Sequence, residues 1–173
     1  SFRRLGHEVT ILDVTAVAPI SYDISYHAIR YFRWFDEYVF RNLAKKVIAL
    51  SPDLVIGTYR FINPLCIRMI RSRLPNVPLI HINPDALTTF EHQQVFASEY
   101  DFFFTKDPYI VSFMKQKMGL NALYLPEAFN PVVHRRPDVD RLRFEEESGI
   151  DILAFGHIYL YRARMLKKII DAG

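Results

Sequence analysis

The stretch that decides the fold is YDFFFTKDPYIVSFMKQKMGLNALYLPEAFNPVVH, residues 100–134, which contains a strand, a helix and a second strand in close succession. The run from Asp101 to Phe104 is typical of a short buried strand. Asp107 and Pro108 predict the start of a helix, because an aspartate side chain accepts hydrogen bonds from free N–H groups and proline has no N–H to leave unpaired. Gly119 predicts the end of that helix, and the apolar triplet LYL that follows predicts the next strand.

Polar residues follow both strands of this stretch. They are Lys106, Asp107, Glu127 and Asn130. In open α/β sheets, ligands bind at the carboxyl ends of the strands, so these loops are predicted to carry a ligand site. Three of the residues also have an interpretation without function: Asp107 is favoured as a helix cap, Lys106 would be a solvated charge, and Glu127 would bond loop N–H groups.

Composition limits the class of protein. The 173 residues suit one domain, or one domain with part of another, and half of them are hydrophobic, which excludes the disordered class. The formal net charge of +3 is compatible with an anionic or phosphorylated ligand but is too small to indicate nucleic-acid binding. Cys66 is the only cysteine, which excludes a disulfide framework and predicts a reducing compartment. No apolar run has the length of a membrane span and no signal peptide is visible, so we predict a cytoplasmic protein.

Alternation of strands and helices predicts the fold class. The further predicted strands are Glu8–Asp13, Asp53–Gly57, Leu79–Ile82 and Ile150–Phe155. His81 lies inside the third of these and is predicted to be a core histidine with its hydrogen bonds satisfied, in preference to a ligand. A long helix is predicted at Ile29–Leu50, and Asn63 with Pro64 is predicted to cap the next helix. Because the strands are of the fully buried type and helices separate them, the predicted fold is α/β, with a doubly wound, mostly parallel sheet.

The predicted boundaries divide the chain into three parts. Residues 1–134 form a Rossmann-like domain, residues 135–148 form a densely charged linker, and residues 149–173 are the first strand and helix of a second, similar domain. Residues 1–6 resemble the last turn of a helix with its glycine cap, so the first domain is predicted to lack its first strand. We therefore expect this chain to be an internal segment of a longer protein.

Two other strand ends carry candidate ligand-binding residues. Asn83 and Asp85 follow the strand Leu79–Ile82, although Asp85 is equally suited to cap the helical stretch after it. Gly156 follows the last predicted strand, and Arg162 lies near the start of the next helix. A glycine lets a ligand approach the backbone, a helix N-terminus carries unpaired N–H groups, and an arginine offers a bidentate fork, so this arrangement suits a phosphate.

Motifs that indicate other chemistry are missing from the sequence. There is no GxGxxG, GxxxxGKS or GxxxxGKT, so neither a dinucleotide site nor a P-loop is supported. There is no GxSxG, HExxH or paired CxxC, so nothing indicates a serine hydrolase or a zinc site. Asp138 and Asp140 formally match a metal-binding DxD motif, but they lie in the charged linker and not after an apolar strand. We therefore predict no metal site.

The order FTKDPYIV, LYLPEAFNP, charged linker and DILAFGHIYLYR resembles the glycosyltransferases related to the spore protein CgeB, the YkvP/CgeB family. The resemblance runs from about Pro52 to the end of the chain and is strongest from Ile80 to Arg162. It implies a GT-B fold, in which the first domain holds an acceptor and the second holds a nucleotide-sugar donor. It also implies that the reaction occurs between them without a metal ion or another cofactor.

The resemblance suggests roles for the candidate residues. The catalytic candidates, which would position or deprotonate the acceptor hydroxyl, are Asp85 first and Glu127 second. The substrate-binding candidates are Asn83, Lys106, Asn130, Gly156 and Arg162. Of these, Gly156 and Arg162 would face the diphosphate of the donor. The acceptor is left open as a glycan, a protein or a lipid-linked sugar.

The helix predicted at Ile29–Leu50 mixes aromatic with basic residues. Such a mixture suits a nucleic-acid face. Helical spacing, however, assigns Phe32, Phe35 and Val39 to a core stripe and explains most of the aromatic residues as packing. We therefore predict no nucleic-acid partner, and favour a weak contact of this basic helix with a membrane surface, where sugar acceptors are often found.

Two alternatives to a transferase stay open. One is a sugar- or nucleotide-binding α/β module without catalysis, within a polysaccharide or spore-coat assembly. The other is a flavodoxin-like interaction domain with no ligand at the cleft. Loss of turnover in an Asp85 variant distinguishes the enzyme from the binding module, and nucleotide-induced thermal stabilisation distinguishes both from the interaction domain.

Overall fold

The computed structural model describes residues 2–14, 17–18, 20–58, 61–83, 94–126, 128, 138–150, 154, 156 and 158–172. The chain divides into two compact units, Ser1–Ala128 and Phe129–Gly173. None of the described helices is long and apolar enough to cross a membrane.

The first unit contains four helices and four strands among its described residues. In chain order they are α1 (Tyr22–Tyr31), α2 (Arg33–Leu50), β1 (Val55–Gly57), α3 (Pro64–Arg73), β2 (Leu79–Asn83), β3 (Phe102–Thr105), α4 (Pro108–Met118) and β4 (Ala122–Tyr124). Short 3-10 helices lie at Phe2–Leu5 and Gln94–Ala97. The second unit contains α5 (Arg141–Ser148) and α6 (Leu160–Asp171).

The four strands form one parallel sheet in the order β1-β2-β3-β4. Gly57 pairs with His81, His81 with Phe103, and Phe103 with Ala122, so these residues form one row across the sheet. The prediction of an α/β fold with a parallel sheet is confirmed. Because chain order and spatial order coincide, the described strands make up one side of a Rossmann-like sheet, and the strand order does not reverse among them.

One face of the sheet contributes to the core. Leu79, His81 and Asn83 of β2 are buried, whereas the two isoleucines between them are only half-buried. The core cluster also contains Phe103 of β3 and residues from α2, α3 and α4. Burying one large apolar side chain contributes roughly 1.5–3 kcal/mol, so this cluster is the main source of stability in the first unit.

Local signals place the helix ends where the sequence predicts them. Asn63 accepts a hydrogen bond from the Leu65 N–H at 2.9 Å and caps α3. Asp107 accepts one from the Tyr109 N–H at 2.8 Å and caps α4, so its interpretation as a helix cap is confirmed. Gly119 ends α4 in the left-handed conformation, with φ +66°.

The predicted strand at Glu8–Asp13 is wrong. These residues lie outside any strand, and Ile11 is 79% exposed. An alternating apolar pattern forms a strand only beside a neighbour that satisfies its backbone, and no described strand pairs with this segment. The predicted strand at Ile150–Phe155 lies largely outside the described residues.

The helix predicted at Ile29–Leu50 is confirmed over Arg33–Leu50, but its first residues belong to a separate helix. Phe32 separates α1 from α2 with extended backbone angles, φ −117° and ψ 99°. The first helix begins earlier than predicted, at Tyr22, where the Ser21 hydroxyl accepts a hydrogen bond from the Ile24 N–H at 3.4 Å. Because of this break, Phe32 does not belong to the core stripe to which helical spacing assigns it.

The second half of the predicted charged linker is helical. Asp140 caps α5 by accepting a hydrogen bond from the Leu142 N–H at 2.9 Å. Two ion pairs follow, each between residues four apart: Arg141–Glu145 at 2.6 Å and Arg143–Glu147 at 2.7 Å. Such pairs stabilise an exposed helix by roughly 0.2–0.5 kcal/mol each, and they explain how a segment with almost no apolar residues is helical.

Candidate functional site

Polar residues lie at the carboxyl edge of the sheet. Asn83, the last residue of β2, is directly opposite Thr105, the last residue of β3, and Thr105 is opposite Tyr124 of β4. Asn83 and Thr105 are both buried. Lys106 follows Thr105 and is half-buried. Amide, hydroxyl and ammonium groups are therefore brought to adjoining strand ends, which is where ligands bind in α/β sheets.

The structure brings together two of the predicted acceptor-side residues, Asn83 and Lys106, on neighbouring strands. The two catalytic candidates, Asp85 and Glu127, lie outside the described residues, as does Asn130. Thr105 is a member of this edge that the sequence pattern did not single out. Its position directly after the predicted strand Asp101–Phe104 is the signal that could have identified it.

The other two candidates lie together in the second unit. Gly156 has φ +104°, which is strained for residues other than glycine. The Nη1 atom of Arg162 is 3.5 Å from the position that a Cβ atom on Gly156 would occupy. Arg162 belongs to the first turn of α6, so the glycine turn, the guanidinium group and the helix N-terminus share one place.

The electrostatics of this turn favour an anion. Within the described α6, the first turn contains no acidic residue, and Tyr159 at the N-cap makes no side-chain hydrogen bond to the helix. A helix N-terminus carries roughly half a positive charge, and the guanidinium of Arg162 adds a full one. Together they can accept a phosphate or diphosphate group.

A buried polar cluster lies on the core face of the sheet, where His81 is 1% exposed. The His81 ring centroid is 5.3 Å from that of Tyr100 and 6.1 Å from that of Phe103. Neither ring nitrogen of His81, nor the Tyr100 hydroxyl, has a hydrogen-bond partner among the described residues. The prediction of a core histidine is confirmed, whereas its hydrogen bonds are not found in the described part of the chain.

Burial keeps the ionisable groups of this cluster neutral; they are His81, Tyr100 and the neighbouring Cys66. It lowers the pKa of His81 to about 4 and raises the pKa of Cys66 to about 12. Burial, together with the neighbouring Cys66, also raises the pKa of Tyr100. A neutral imidazole and a protonated thiol do not suit a nucleophilic or charged site, so the cluster belongs to the core.

A second charged arrangement lies at the start of β2 and β3. Arg71 of α3 donates to Asp101 at 2.7 Å, and the Leu79 N–H donates to the same carboxylate oxygen at 2.7 Å. Arg71 also donates to the Val77 carbonyl at 3.2 Å. Burial raises the pKa of Asp101, but the hydrogen bonds from Arg71 and Leu79 outweigh it and hold the pKa below its usual value. This arrangement is structural, since it joins α3 to the amino ends of two strands.

Metal-ligating residues do not cluster in the described ranges, where no group of three or more His, Cys, Asp or Glu residues is positioned to hold an ion. Of the formal DxD motif, Asp140 has a structural role as the cap of α5. Comparison of the sequence with protein-family models and with curated proteins, and of the structure with solved structures, found no match.

Proposed function

We propose that this chain is part of a metal-independent GT-B-type glycosyltransferase, which transfers a sugar from a nucleotide-sugar donor to an acceptor hydroxyl. The observation that supports it best is the proximity of Arg162 to Gly156 at the start of α6. A transferase of this class must stabilise a leaving diphosphate, and this turn offers backbone N–H groups, a helix N-terminus and a guanidinium for that task. The resemblance of the sequence to CgeB-related enzymes supports the same assignment.

The donor side of the reaction rests on the second unit. When the bond between the anomeric carbon and the diphosphate oxygen breaks, negative charge grows on the leaving group. Donors already aimed at that oxygen stabilise the transition state more than the ground state, which is the condition for catalysis. Arg162 supplies two parallel N–H donors, so it suits a diphosphate better than a lysine would.

The acceptor side rests on the carboxyl edge of the sheet. Asn83 and Lys106 would hold the acceptor through its hydroxyl groups or a phosphate. Asp85 follows Asn83 by two residues and is the proposed base, with Glu127 as the second choice. The base takes the proton of the acceptor hydroxyl as its oxygen forms the new bond to the anomeric carbon.

A second candidate function is a sugar- or nucleotide-binding module without catalysis. The observation that favours it is the chemistry of the described sheet edge. Asn83, Thr105 and Lys106 can bind a ligand through hydrogen bonds, and none of the three is a carboxylate or an imidazole, the usual general bases. In this case Asp85 takes no part in proton transfer.

The test is nucleotide release by the intact protein. We would incubate it with UDP-, GDP- and dTDP-sugars and candidate acceptors, with and without EDTA. A metal-independent transferase releases nucleotide in both conditions, and release falls by about 100-fold or more in Asp85→Ala, which is the usual scale for removal of a general base. Arg162→Ala should lose release, while Arg164→Ala, which removes an exposed arginine of the same helix, should retain it.

The two candidates give different results in this experiment. Nucleotide-dependent thermal stabilisation without release, unchanged in Asp85→Ala, would support the binding module. Absence of nucleotide release, together with absence of thermal stabilisation by any nucleotide or sugar, would contradict both candidates.

A further inference from the structure

The junction of α1 and α2 displays aromatic side chains to solvent. Tyr31 and Trp34 are each 70% exposed, and Phe32 and Tyr38 are each 53% exposed. We call these four residues the aromatic corner. Helical spacing explains most of the aromatic residues here as packing, and that interpretation fails for these four residues. A single exposed aromatic residue needs no explanation, but four that are close in sequence mark an interaction surface.

Three rings of the aromatic corner, those of Phe32, Trp34 and Tyr38, are connected directly or through Phe35. The centroids of Phe32 and Trp34 are 6.3 Å apart. Phe35, which is half-buried, contacts Trp34 edge-to-face at 5.6 Å and Tyr38 at 6.5 Å. Through Phe35 the exposed rings are fixed to the core stripe that continues with the buried Val39. The surface is therefore held in place by the fold.

Basic residues surround the corner. The guanidinium carbon of Arg30 lies 5.8 Å from the ring centroid of Tyr31. Arg33 and Arg41 both contact Glu37, at 2.9 Å and 3.6 Å. The neighbouring Asp36 is buried and accepts a hydrogen bond from the Asn63 amide, so it adds no exposed negative charge. Among the described side chains of this surface, three arginines stand beside one half-buried carboxylate, that of Glu37, and this excess makes the charge positive.

The aromatic and basic residues are ordered along α2. Trp34, Tyr38, Arg41 and Lys45 are spaced by four, three and four residues, so they lie on one exposed stripe of the helix. The aromatic residues come first and the cations follow. A helix with aromatic rings and basic residues on an exposed stripe suits the boundary between lipid headgroups and acyl chains, where rings enter the interface and cations meet phosphates.

We infer that the aromatic corner, with its basic surround, docks this protein on an anionic phospholipid surface. The contact is interfacial, since none of the described helices can span a membrane. The inference does not depend on the proposed transferase activity, because it rests on a different part of the fold.

The ring geometry favours a membrane over single-stranded nucleic acid. Base stacking requires open ring faces. Here Trp34 and Phe35 meet at an interplanar angle of 80°, Arg30 lies over the ring of Tyr31, and His27 is stacked parallel to Tyr31 at 6.5 Å. Insertion into a lipid interface requires apolar area with cations beside it, and leaves these contacts intact.

Trp34 provides a direct test, because it is the only tryptophan of the chain. We would mix the protein with vesicles of phosphatidylcholine and phosphatidylserine and record tryptophan emission and co-sedimentation. Docking predicts a blue shift of the emission, quenching by lipids brominated along the acyl chain, and sedimentation with the vesicles. Vesicles of phosphatidylcholine alone should bind more weakly, and added salt should weaken binding to the anionic vesicles.

Substitutions distinguish binding through the aromatic corner from binding through any exposed aromatic residue. The double variant Trp34→Ala/Tyr38→Ala should reduce the partition coefficient, measured by sedimentation, by about tenfold or more, because partitioning scales with the apolar area inserted. Arg41→Ala should reduce it by a smaller factor. Tyr109→Ala is the matched control, since Tyr109 is an exposed aromatic residue of α4, and it should bind as the unmodified protein does. Circular dichroism of each variant verifies that the fold is retained.

Three results would overturn the inference. The first is absence of binding to anionic vesicles, and the second is equal binding to neutral and anionic vesicles. The third is a response of Trp34 to a single-stranded oligonucleotide or to a protein partner while vesicles leave its emission unchanged.

Discussion

The hydroxyl group of Tyr100 occupies the space that a side chain at position 57 would need. The distance from the Tyr100 Oη atom to the position of a Cβ atom on Gly57 is 2.6 Å, and the Cζ atom of the same ring is 3.3 Å away. Gly57 ends β1, and Tyr100 immediately precedes the segment that leads into β3. The glycine is therefore required by packing between residues that are distant in sequence, and not by a turn.

Gly57→Ala is expected to destabilise the first unit by about 1–3 kcal/mol, because the added methyl group overpacks the core against a buried tyrosine. Urea unfolding at neutral pH measures the change. Tyr100→Phe removes the closest atom, so the double variant should recover part of the loss and the double-mutant cycle should show coupling between the two positions. Additive effects of the two substitutions would show that the side chains do not meet.

Because of His81, we expect the free energy of unfolding to decrease in weak acid. Burial lowers its pKa to about 4, below the value of 6.5 for an exposed histidine, so the unfolded chain binds more protons than the folded chain between these pH values. Stability from this residue is complete above pH 6.5, falls as the pH decreases, and is lost through about pH 4. The full difference amounts to about 3 kcal/mol.

The measurement for His81 is the free energy of unfolding in urea at pH 7 and pH 4.5. His81→Phe keeps an aromatic ring between Tyr100 and Phe103 but removes the titrating group, so it should flatten the dependence on pH in this range. An equal decrease in stability for the original protein and for His81→Phe would show that another group is responsible.

Because of Asp101, we expect a further decrease in the free energy of unfolding at lower pH. Its pKa in the folded chain lies below the model-compound value of 3.8, so its stabilisation is present above that value and is lost as the pH falls further. Because its side chain is 37% exposed, solvent screens the ion pair with Arg71, and we expect Asp101→Asn to cost about 1 kcal/mol at neutral pH. Unfolding at pH 7 and at pH 3 measures it, and the cost should shrink at pH 3.

Glu99→Gln is the control for this prediction. Glu99 pairs with Arg68 at 3.8 Å and both side chains are mostly exposed, so its removal should change stability by less than about 0.5 kcal/mol. An equal cost for both substitutions would mean that general surface charge, and not the bonds from Arg71 and Leu79, explains the effect of Asp101.

The sequence predicts those parts of the fold that depend on neighbouring residues. The caps Asn63 and Asp107 and the terminating Gly119 each act within one helical turn, so the residue type alone locates them. The parallel sheet follows from buried-type strands that alternate with helices. The apolar pattern at Glu8–Asp13 carries the same local signal, but a strand also needs a partner, and no local pattern specifies one.

The candidate site shows the same division. Asn83 and Lys106 lie at one edge of the sheet because they are at the ends of adjacent strands. Gly156 lies close to Arg162 because the two are only six residues apart in sequence. The contact of Tyr100 with Gly57 and the exposure of Phe32 were not predictable in this way. The first joins distant segments, and the second depends on a helix break at Phe32 that no glycine or proline announces.

Gly156 gives the last prediction, which concerns the proposed diphosphate site. An alanine at φ +104° is strained, so Gly156→Ala should force the turn to a different backbone conformation and move its N–H groups away from Arg162. We expect the affinity for UDP, GDP or dTDP, whichever stabilises the protein, to fall by about tenfold, which corresponds to about 1.4 kcal/mol. Isothermal titration calorimetry measures the affinity. Gly119→Ala is the matched control, because Gly119 also has positive φ, at +66°, but lies at the end of α4. Both substitutions should lower the melting temperature, and only Gly156→Ala should weaken nucleotide binding. An unchanged affinity in Gly156→Ala would show that this turn is not part of the nucleotide-binding site.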